Sequence, residues 1–289
     1  MGDDDIGPVT TAAEDAAVDD LIRTAEAAVD HELIASRGPG GLVAWAPGRA
    51  RALAYAQAAR GARRWEVELA WDRAAGDDAA AAVLAAVVDR VRERGGGPVH
   101  LWITHPEDRH DALAARAGLA RDRDLWQLRR PLPVGEPWSL TTRPFVVGRD
   151  EADWVEVNNR AFGWHQEQSG WTVDDVRSRE AETWFDPAGF LLHEVDGQLV
   201  GFCWTKVHAD HDPPLGEIYV IAVDPDAHHR GLGRALVLAG LDHLAGKGLR
   251  VGMLYVDADN APANRLYADL GFTLDHIDRS FAGHVEPPG

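Results

Sequence analysis

Apolar and polar residues follow a regular pattern that predicts strands and helices in a similar order in each half of the chain. Runs of apolar residues bounded by glycine, proline or charged residues predict strands, and apolar residues spaced three and four apart predict helices. In the first half this pattern predicts an amphipathic helix over 14–29, strands over 42–46, 53–58 and 65–71, a helix over 77–94, a strand over 99–104, a helix over 106–117 and a strand over 119–129. Residues 130–142 contain three prolines and a glycine and are typical of a linker.

The second half opens with two predicted helices and continues with a hairpin. The remaining predicted elements are a helix over 150–162, a helix over 174–183, strands over 190–195 and 198–207 turned by Asp196-Gly197, a strand over 217–223, a helix from about Gly231, a strand over 251–256, a helix carrying Tyr267, and a final strand with a Pro/Gly tail after Ala282.

The two halves repeat each other at the level of sequence. Residues 99–119 align without gaps against 252–272, which matches Gly118 with Gly271, and residues 65–72 align against 217–224. We therefore predict an α/β protein of two tandem domains, each a mixed, mostly antiparallel sheet flanked by helices. The predicted boundaries are 1–130 for the first domain, 131–142 for the linker and 143–289 for the second domain.

The overall charge argues against several kinds of partner. The chain carries 47 acidic and 29 basic residues, a net charge of −18, which disfavours nucleic acid and anionic membrane surfaces. No apolar run approaches the length of a membrane span, the first residues lack the basic start of a signal peptide, and the single cysteine, Cys203, has no partner for an internal disulfide. We expect a cytoplasmic monomer that acts on a small molecule.

A glycine-bearing loop between a strand and a helix is the main candidate for chemistry. Arg230, Gly231 and Gly233 directly precede a helix rich in alanine and leucine. Glycines let backbone N–H groups converge on one point, and a helix N-terminus adds partial positive charge there, so the loop predicts an anion cradle. It lacks the Lys-Ser/Thr of a P-loop and the third glycine of a dinucleotide fingerprint.

The order strand, loop, helix, strand, Asn-bearing loop and helix resembles the acetyl-CoA site of the GNAT superfamily of N-acetyltransferases. Its loop pattern, Gln/Arg-x-x-Gly-x-Gly/Ala, is met by residues 228–233 except that His228 replaces the usual Gln or Arg. The resemblance implies GNAT-like domains and acetyl-CoA as co-substrate, with no metal.

Transfer of an acetyl group to an amine needs a base for the amine and an acid for the leaving thiolate. Glu217, at the start of the central strand, is the predicted base, acting through water, and Tyr267 is the predicted acid; many GNAT members carry an acid tyrosine on that helix. The alternatives are that Glu217 is an exposed strand-end carboxylate and that Tyr267 is a tyrosine packing on the sheet.

Several motifs narrow the resemblance to mycothiol synthases, which acetylate the cysteinyl amine of cysteinyl-glucosaminyl-inositol. They are Val157-Asn158-Asn159-Arg160-Ala161-Phe162, Trp184-Phe185-Asp186-Pro187, Trp204-Thr205-Lys206-Val207-His208, Gly216-Glu217 and Leu254-Tyr255-Val256 before Asp259-Asn260. By this resemblance the substrate contacts are Glu167, Lys206, Glu217 and Tyr255, with Glu32 a candidate from the first half. The implied acetyl-CoA residues are Ile221, Ala222, Val223, His228, His229, Arg230, Gly231, Leu232, Gly233, Arg234, Asn260, Ala261, Pro262, Ala263, Asn264 and Arg265. Around Glu167 the chain departs from the family, which usually has proline and glycine where Gln166 and Ser169 stand.

The first half has lost the residues that carry this chemistry. The segment opposite the cradle is shorter and has one glycine, Gly76, followed by Asp77 and Asp78, with Arg73 the only nearby offset to their charge. Trp65 stands opposite Glu217. We therefore expect a structural first domain and one bound acetyl-CoA.

Other readings remain open. His165, His208 and His211 have no cysteine or carboxylate at ligand spacing, so we expect no metal. Among the tryptophans, Trp171 and Trp204 are candidates for stacking on a sugar.

The resemblance predicts that the chain acetylates cysteinyl-glucosaminyl-inositol, the precursor of mycothiol. The alternatives are an acetyltransferase for another primary amine (a peptide N-terminus, polyamine or aminoglycoside) or a non-catalytic acyl-CoA-binding protein.

Overall fold

The chain forms two compact units. The computed structural model describes residues 6–25, 40–49, 51–61, 63–163, 169–227 and 231–289. Unit 1 consists of the chain up to Trp126 together with His276–Gly289, and unit 2 of Gln127–Asp275. The predicted domains instead assign residues 276–289 to the second half. Those boundaries follow the sequence repeat rather than packing, and they stay a prediction.

Unit 1 contains the following elements, in chain order: β1 (Ile6–Gly7), α1 (Ala12–Thr24), β2 (Leu42–Trp45), β3 (Ala52–Arg60), β4 (Trp65–Trp71), α2 (Asp77–Glu93), β5 (Gly97–Thr104), α3 (Asp108–Arg116) and the first residues of β6 (Ala120–Pro131). Short 3-10 turns cover Pro47–Arg49 and Arg73–Ala75.

Unit 2 continues with β7 (Arg143–Pro144), α4 (Glu151–Ala161), α5 (Val173–Glu180), a 3-10 turn over Pro187–Gly189, β8 (Phe190–Val195), β9 (Gln198–His208), β10 (Leu215–Val223), α6 (Leu232–Gly246), β11 (Val251–Asp257), α7 (Ala261–Asp269) and the start of β12 (Thr273–Val285). None of the described helices has the length and hydropathy that crossing a bilayer requires.

Each unit has a mixed sheet in which antiparallel pairs dominate. In unit 1 the strands lie in the order β1-β2-β3-β4-β5-β12, and in unit 2 in the order β6-β11-β10-β9-β8-β7. The parallel pairs whose register is resolved are β4 with β5 and β10 with β11, and each is joined by a helix that follows the first strand. This arrangement confirms the predicted fold class and gives both units the same β-meander, helix and parallel strand.

Different side chains fill the two cores. In unit 1 the alanines and valines of α2 pack on β3, β4 and β5 around Trp71. In unit 2 an aromatic cluster, which we define as Phe145, Trp154, Trp171, Trp184, Phe185, Phe190, Phe202, Trp204 and Tyr219, covers the face of β8, β9 and β10 that α4 contacts. The other face of these strands packs against the apolar helix α6.

A buried carboxylate anchors the start of α4. Asp150 accepts hydrogen bonds from Arg143 Nη1 (2.5 Å), Arg149 Nε (2.9 Å) and the Val146 N–H (2.8 Å). Burial alone would raise the pKa of Asp150, but these donors outweigh it and lower the pKa to about 2. The carboxylate is therefore ionised at neutral pH and ties α4 to β7.

The termini of several elements differ from the predictions. Helix α1 begins at Ala12 because Thr11 and Glu14 form a reciprocal capping box, a signal present in the sequence. Its predicted extension beyond Ala25 lies outside the described residues. The expected tail after Ala282 is wrong, since β12 stays paired with β5 as far as Val285, opposite Gly97. The short strands β1 and β7 were not predicted, because two residues give no periodic signal.

Gly240 in α6 should be intolerant of a side chain. An added Cβ would lie 2.5 Å from Cys203 Sγ and 2.7 Å from Ile218 Cδ1, so Gly240→Ala forces α6 away from the sheet. We expect a loss of about 1–3 kcal/mol in the free energy of unfolding, as for other overpacked cores.

Gly246, the last residue of the same helix, is the matched control because nothing lies within 4 Å of its added Cβ. Gly246→Ala should be neutral or slightly stabilising. Urea unfolding of both variants checks this; equal midpoints for Gly240→Ala and Gly246→Ala would show that the contact is not tight.

Candidate active site

The centre of the candidate site is a strand pair with an irregular register. Strands β9 and β10 pair regularly from Leu215 opposite His208 to Ile218 opposite Thr205. The register then shifts by one residue between Ile218 and Val220, so that Val220 faces Trp204. Such a bulge bends the strand and turns consecutive side chains to the same face. Here Tyr219, a member of the aromatic cluster, and Val220, which packs on that cluster, lie on the same face.

The same strand separates from its other neighbour at this point. Strands β10 and β11 pair in parallel only over 215–218 with 251–254. Beyond that, Ile221, Ala222 and Val223 are half-buried and continue along β9 alone. Their backbone edge on the β11 side lies beyond the paired stretch, and the expected role of these three residues at acetyl-CoA stays a prediction.

Glu217 is a buried carboxylate rather than an exposed strand end. It is 6% exposed, and its Oε2 lies 2.8 Å from His208 Nε2. The sequence places His208 in one of the family motifs and rejects it as a metal ligand, but it does not predict the contact with Glu217. When β9 is paired with β10, residues 208 and 217 become diagonal neighbours on adjacent antiparallel strands. Knowing this pairing would have placed His208 beside Glu217.

Lys206 lies directly opposite Glu217 on β9, so the structure brings two of the predicted substrate contacts together. The Lys206 ammonium is 4.8 Å from the centroid of Trp184 and 5.6 Å from that of Tyr219. Cation–π contact of this kind stabilises a partly desolvated ammonium. Trp184, part of one of the family motifs, and Tyr219, which the sequence analysis does not name, are thus neighbours of the site, with their rings 5.1 Å apart.

The two tryptophans proposed for sugar stacking have different positions. Trp204 is fully buried, stacked on Phe190 at 4.3 Å, so its expected role at the ligand is wrong. Trp171 is half-buried, and Asn159 holds its backbone through two reciprocal bonds of 2.8 and 3.0 Å. Trp171 therefore remains a candidate.

Tyr267 lies on α7 and is almost entirely buried, with its ring 5.8 Å from that of Phe272. Burial raises the pKa of Tyr267 well above its ordinary value of about 10, so the phenol is protonated at neutral pH. A hydroxyl kept in this form is a hydrogen-bond donor. The alternative, a tyrosine that packs on the sheet, also describes Tyr267. One side chain can both pack in the core and donate through its hydroxyl.

Tyr255, at 39% exposed, is more exposed than the predicted substrate contacts Lys206 and Glu217. Its hydroxyl accepts a hydrogen bond of 2.7 Å from Gln127 Nε2, and Gln127 Oε1 accepts one from Arg129 Nε. The buried amide of Gln127 thereby sets the position of the Tyr255 hydroxyl.

The N-terminus of α6 has the features of an anion cradle. Gly231 is its N-cap, with φ of 91° and nothing within 4 Å of an added Cβ, and within the described part of the chain no side chain caps the helix. Leu232 is buried and anchors the first turn. Arg234 is paired with Glu136, whose Oε1 lies 2.6 Å from Nη2.

The loop that opens α7 adjoins this cradle, because an added Cβ at Gly233 would lie 3.8 Å from Leu266. Asn260 caps α7 by accepting from the Ala263 N–H, and Pro262 occupies its first turn. Asn264 Nδ2 donates to the carbonyls of Asp257 and Ala258, while its Oδ1 is buried and meets no donor among the described residues. Ala261, Pro262 and Arg265 are exposed.

Some predicted site residues cannot be placed. Glu32, Glu167, His228, His229 and Arg230 lie outside the described residues. Their assignment therefore stays a prediction from the sequence.

The corresponding helix start in unit 1 is built differently. Gly76 is the N-cap of α2 with φ of 84°, as Gly231 is for α6. Asp77 and Asp78 follow it and pair with Arg109 (3.7 Å) and Arg116 (2.9 Å). The expectation that only Arg73 offsets these carboxylates is therefore wrong, since α3 supplies two more arginines.

From the sequence we expect no metal at His165, His208 and His211, because no carboxylate is expected beside them. In the structure a carboxylate oxygen of Asp210 and one nitrogen each of His208 and His211 lie within 4.8 Å of one another. That reason is therefore wrong. Asp210 and His211 are exposed, however, and His208 is bonded to Glu217, so we assign no ion here.

Known proteins resemble the chain at the levels of sequence and fold. The acetyltransferase (GNAT) family model matches residues 154–272. Mycothiol acetyltransferase of Thermomonospora curvata is 52% identical over 199 residues, which are 67% of this chain and 66% of that protein. Mycothiol acetyltransferase of Thermobispora bispora is 50% identical over 204 residues, 68% of each chain.

A tandem GNAT protein from the clavulanic acid biosynthesis pathway has a similar fold. Its structure gives a TM-score of 0.69 at 15% identity and covers 98% of this chain and 99% of its own. At that identity the likeness concerns the fold alone. Both predicted GNAT-like halves are therefore present.

Proposed function

The chain belongs to the mycothiol acetyltransferase family of N-acetyltransferases, and from that premise we propose that it transfers the acetyl group of acetyl-CoA to the cysteinyl amine of cysteinyl-glucosaminyl-inositol. Glu217 is the residue that carries the proposal. It is a buried carboxylate on the strand that parts from β11, opposite Lys206 and bonded to His208.

Acetyl-CoA fits the groups around the start of α6. A helix N-terminus that no described side chain caps, with a glycine at φ of 91° as its N-cap, suits a pyrophosphate, since its N–H groups and dipole favour an anion. The separated edge of β10 at 221–223 suits the amides of the pantetheine arm. The buried Oδ1 of Asn264, which meets no donor in the described part of the chain, is a further acceptor on the same side. When bound, acetyl-CoA supplies the thioester.

Glu217 is suited to take a proton from the amine. An α-amino group has a pKa of about 7.7–8.0, so near neutral pH a large fraction is still an ammonium that must lose a proton before attack. A buried carboxylate held by His208 accepts that proton without reorganising. Lys206 and Tyr255, which present polar atoms near the same strand pair, are suited to hold hydroxyl groups of the sugar and inositol.

Tyr267 is suited to stabilise the leaving sulfur. An ordinary thiol has a pKa of about 8.5, lower than that of a buried phenol, so full transfer of the Tyr267 proton is uphill in the unliganded protein. Its hydroxyl therefore stabilises the developing thiolate as a hydrogen-bond donor before the sulfur takes its proton.

The proposed activity is tested by following release of CoA with the purified protein. Cysteinyl-glucosaminyl-inositol should be the preferred acceptor over spermidine, an aminoglycoside and a peptide N-terminus. If the protein instead prefers one of the other three amines, that amine is the acceptor. Tight acetyl-CoA binding without any turnover would identify a non-catalytic binding protein.

Tyr267→Phe should keep the affinity for acetyl-CoA and lower kcat by about 10²–10⁴-fold, because only a donor to the transition state is removed. Steady-state kinetics with calorimetric binding measure both quantities. Tyr55→Phe in unit 1, which also loses one buried hydroxyl, is the control and should keep kcat. An unchanged kcat in Tyr267→Phe, with product release shown not to limit the rate, would rule out the assignment.

Glu217→Gln should slow the reaction most at low pH and less as pH rises. As the pH rises past the pKa of the amine, a growing fraction of the amine is already deprotonated, so the rate depends less on the base. The ratio of kcat/KM values for parent and variant, measured between about pH 6 and 9.5, checks this. Parallel profiles would mean that Glu217 positions the substrate and does not take its proton.

The chain should bind one acetyl-CoA, although its fold is repeated. The α2 start offers one glycine, and the nearby arginines are already paired with Asp77, Asp78 and Glu107. Titration calorimetry should give a stoichiometry near one. Gly231→Val should abolish binding, whereas Gly76→Val, at the matching N-cap of unit 1, should leave it intact. A second saturable site that persists in Gly231→Val would refute this expectation.

A further inference from the structure

His208 contacts the proposed base through the backbone register of two strands. It ends β9 opposite Leu215, and Lys206, two residues earlier, lies opposite Glu217. Residues two apart on a strand share a face, so the side chains of residues 206, 208 and 217 project to the same side of the sheet. The 2.8 Å contact between His208 Nε2 and Glu217 Oε2 therefore follows from the pairing itself.

The two partners differ in their access to water. The Glu217 side chain is 7% exposed, whereas the His208 side chain is 20% exposed and adjoins an exposed loop that begins at Ala209. A carboxylate in the position of Glu217 has little direct contact with solvent to which it could release a proton. The imidazole ring has one nitrogen on Glu217 and a second nitrogen for another partner, so it links the carboxylate to the outside.

Charged groups of both signs lie around His208. Glu217 and Asp210 carry carboxylates close to the ring, and Lys206 lies on the same face of β9. The ring of His211 is perpendicular to that of His208 at 5.8 Å and is exposed.

The proton balance of the proposed reaction requires such an exit. An ammonium substrate that becomes an amide loses two protons from nitrogen while the N–C bond forms and the C–S bond breaks. One proton ends on the sulfur of CoA, and the other must reach solvent. If Glu217 accepts that second proton, it must discharge it before the next turnover.

We propose that His208 is a positioning residue for Glu217 that also carries the released proton from this carboxylate to solvent. The proposal rests on the acetyl-transfer function proposed above. His208 Nε2 takes the proton from Glu217, and Nδ1 releases one to water, after which the ring returns to its starting tautomer.

Two substitutions at His208 test this role. His208→Gln keeps an N–H donor within reach of Glu217 but cannot relay a proton, and His208→Ala removes both. We expect kcat to fall by at least about tenfold in each variant while the acetyl-CoA dissociation constant stays within twofold. Imidazole added to His208→Ala should restore kcat in a saturable, concentration-dependent manner, which a purely structural role would not allow.

His211→Gln is the matched control, because it changes the neighbouring exposed histidine. Its kcat should equal that of the parent, and imidazole should have no effect on it. Circular dichroism and thermal unfolding establish that the His208 variants are folded.

The outcomes are distinct from those that test the function. A parent protein without acetyl transfer to any amine refutes the proposed function, and the relay with it. An active parent whose His208 variants keep kcat within twofold overturns this inference alone. Loss of kcat without imidazole rescue also overturns the relay and leaves His208 as a structural support.

Discussion

The separation of β10 from β11 after four paired residues is the constraint on which the site depends. Full pairing would bond the edge of 219–223 into the sheet and leave no backbone groups for a ligand. The bulge at Tyr219 accompanies the separation and turns two consecutive residues toward the aromatic cluster. Glu217 lies just before this irregular region, where the strand is still held on both sides.

Holding a carboxylate in that position has an energetic cost that neighbouring groups offset. A buried ionised carboxylate is unfavourable unless it is hydrogen-bonded. Glu217 gains the His208 contact and a cation, Lys206, on the facing residue. Lys206 in turn lies over two aromatic rings packed on a rigid core of stacked and edge-to-face side chains. The aromatic cluster therefore orients the polar groups although few of its members can touch a substrate.

The two units show how one fold carries chemistry in one copy only. In unit 1 the pairing of β3 with β4 runs without a shift from Ala54 to Arg60, so there is no counterpart of the bulge in that ladder. Trp65, opposite Glu217 in the repeat, is core, and its indole donates to the Gly96 carbonyl. Both helix starts keep a glycine at positive φ, so this backbone feature alone does not distinguish them. The difference is that Asp77 and Asp78, paired with arginines of α3, follow the glycine in unit 1.

The sequence by itself determined the order of the longer elements and the repeat, and it predicted a candidate anion cradle, because hydrophobic periodicity, glycines and the loop motif are local signals. It also indicated Glu217, Lys206 and Tyr267 through a resemblance carried by short motifs. Only the tertiary structure decided that Glu217 is buried, that His208 contacts it, that Trp204 is core and that Arg109 and Arg116 pair with Asp77 and Asp78. Each of these facts depends on which strands and helices become neighbours and in which register, and a shift of one residue would send every side chain of a strand to the opposite face.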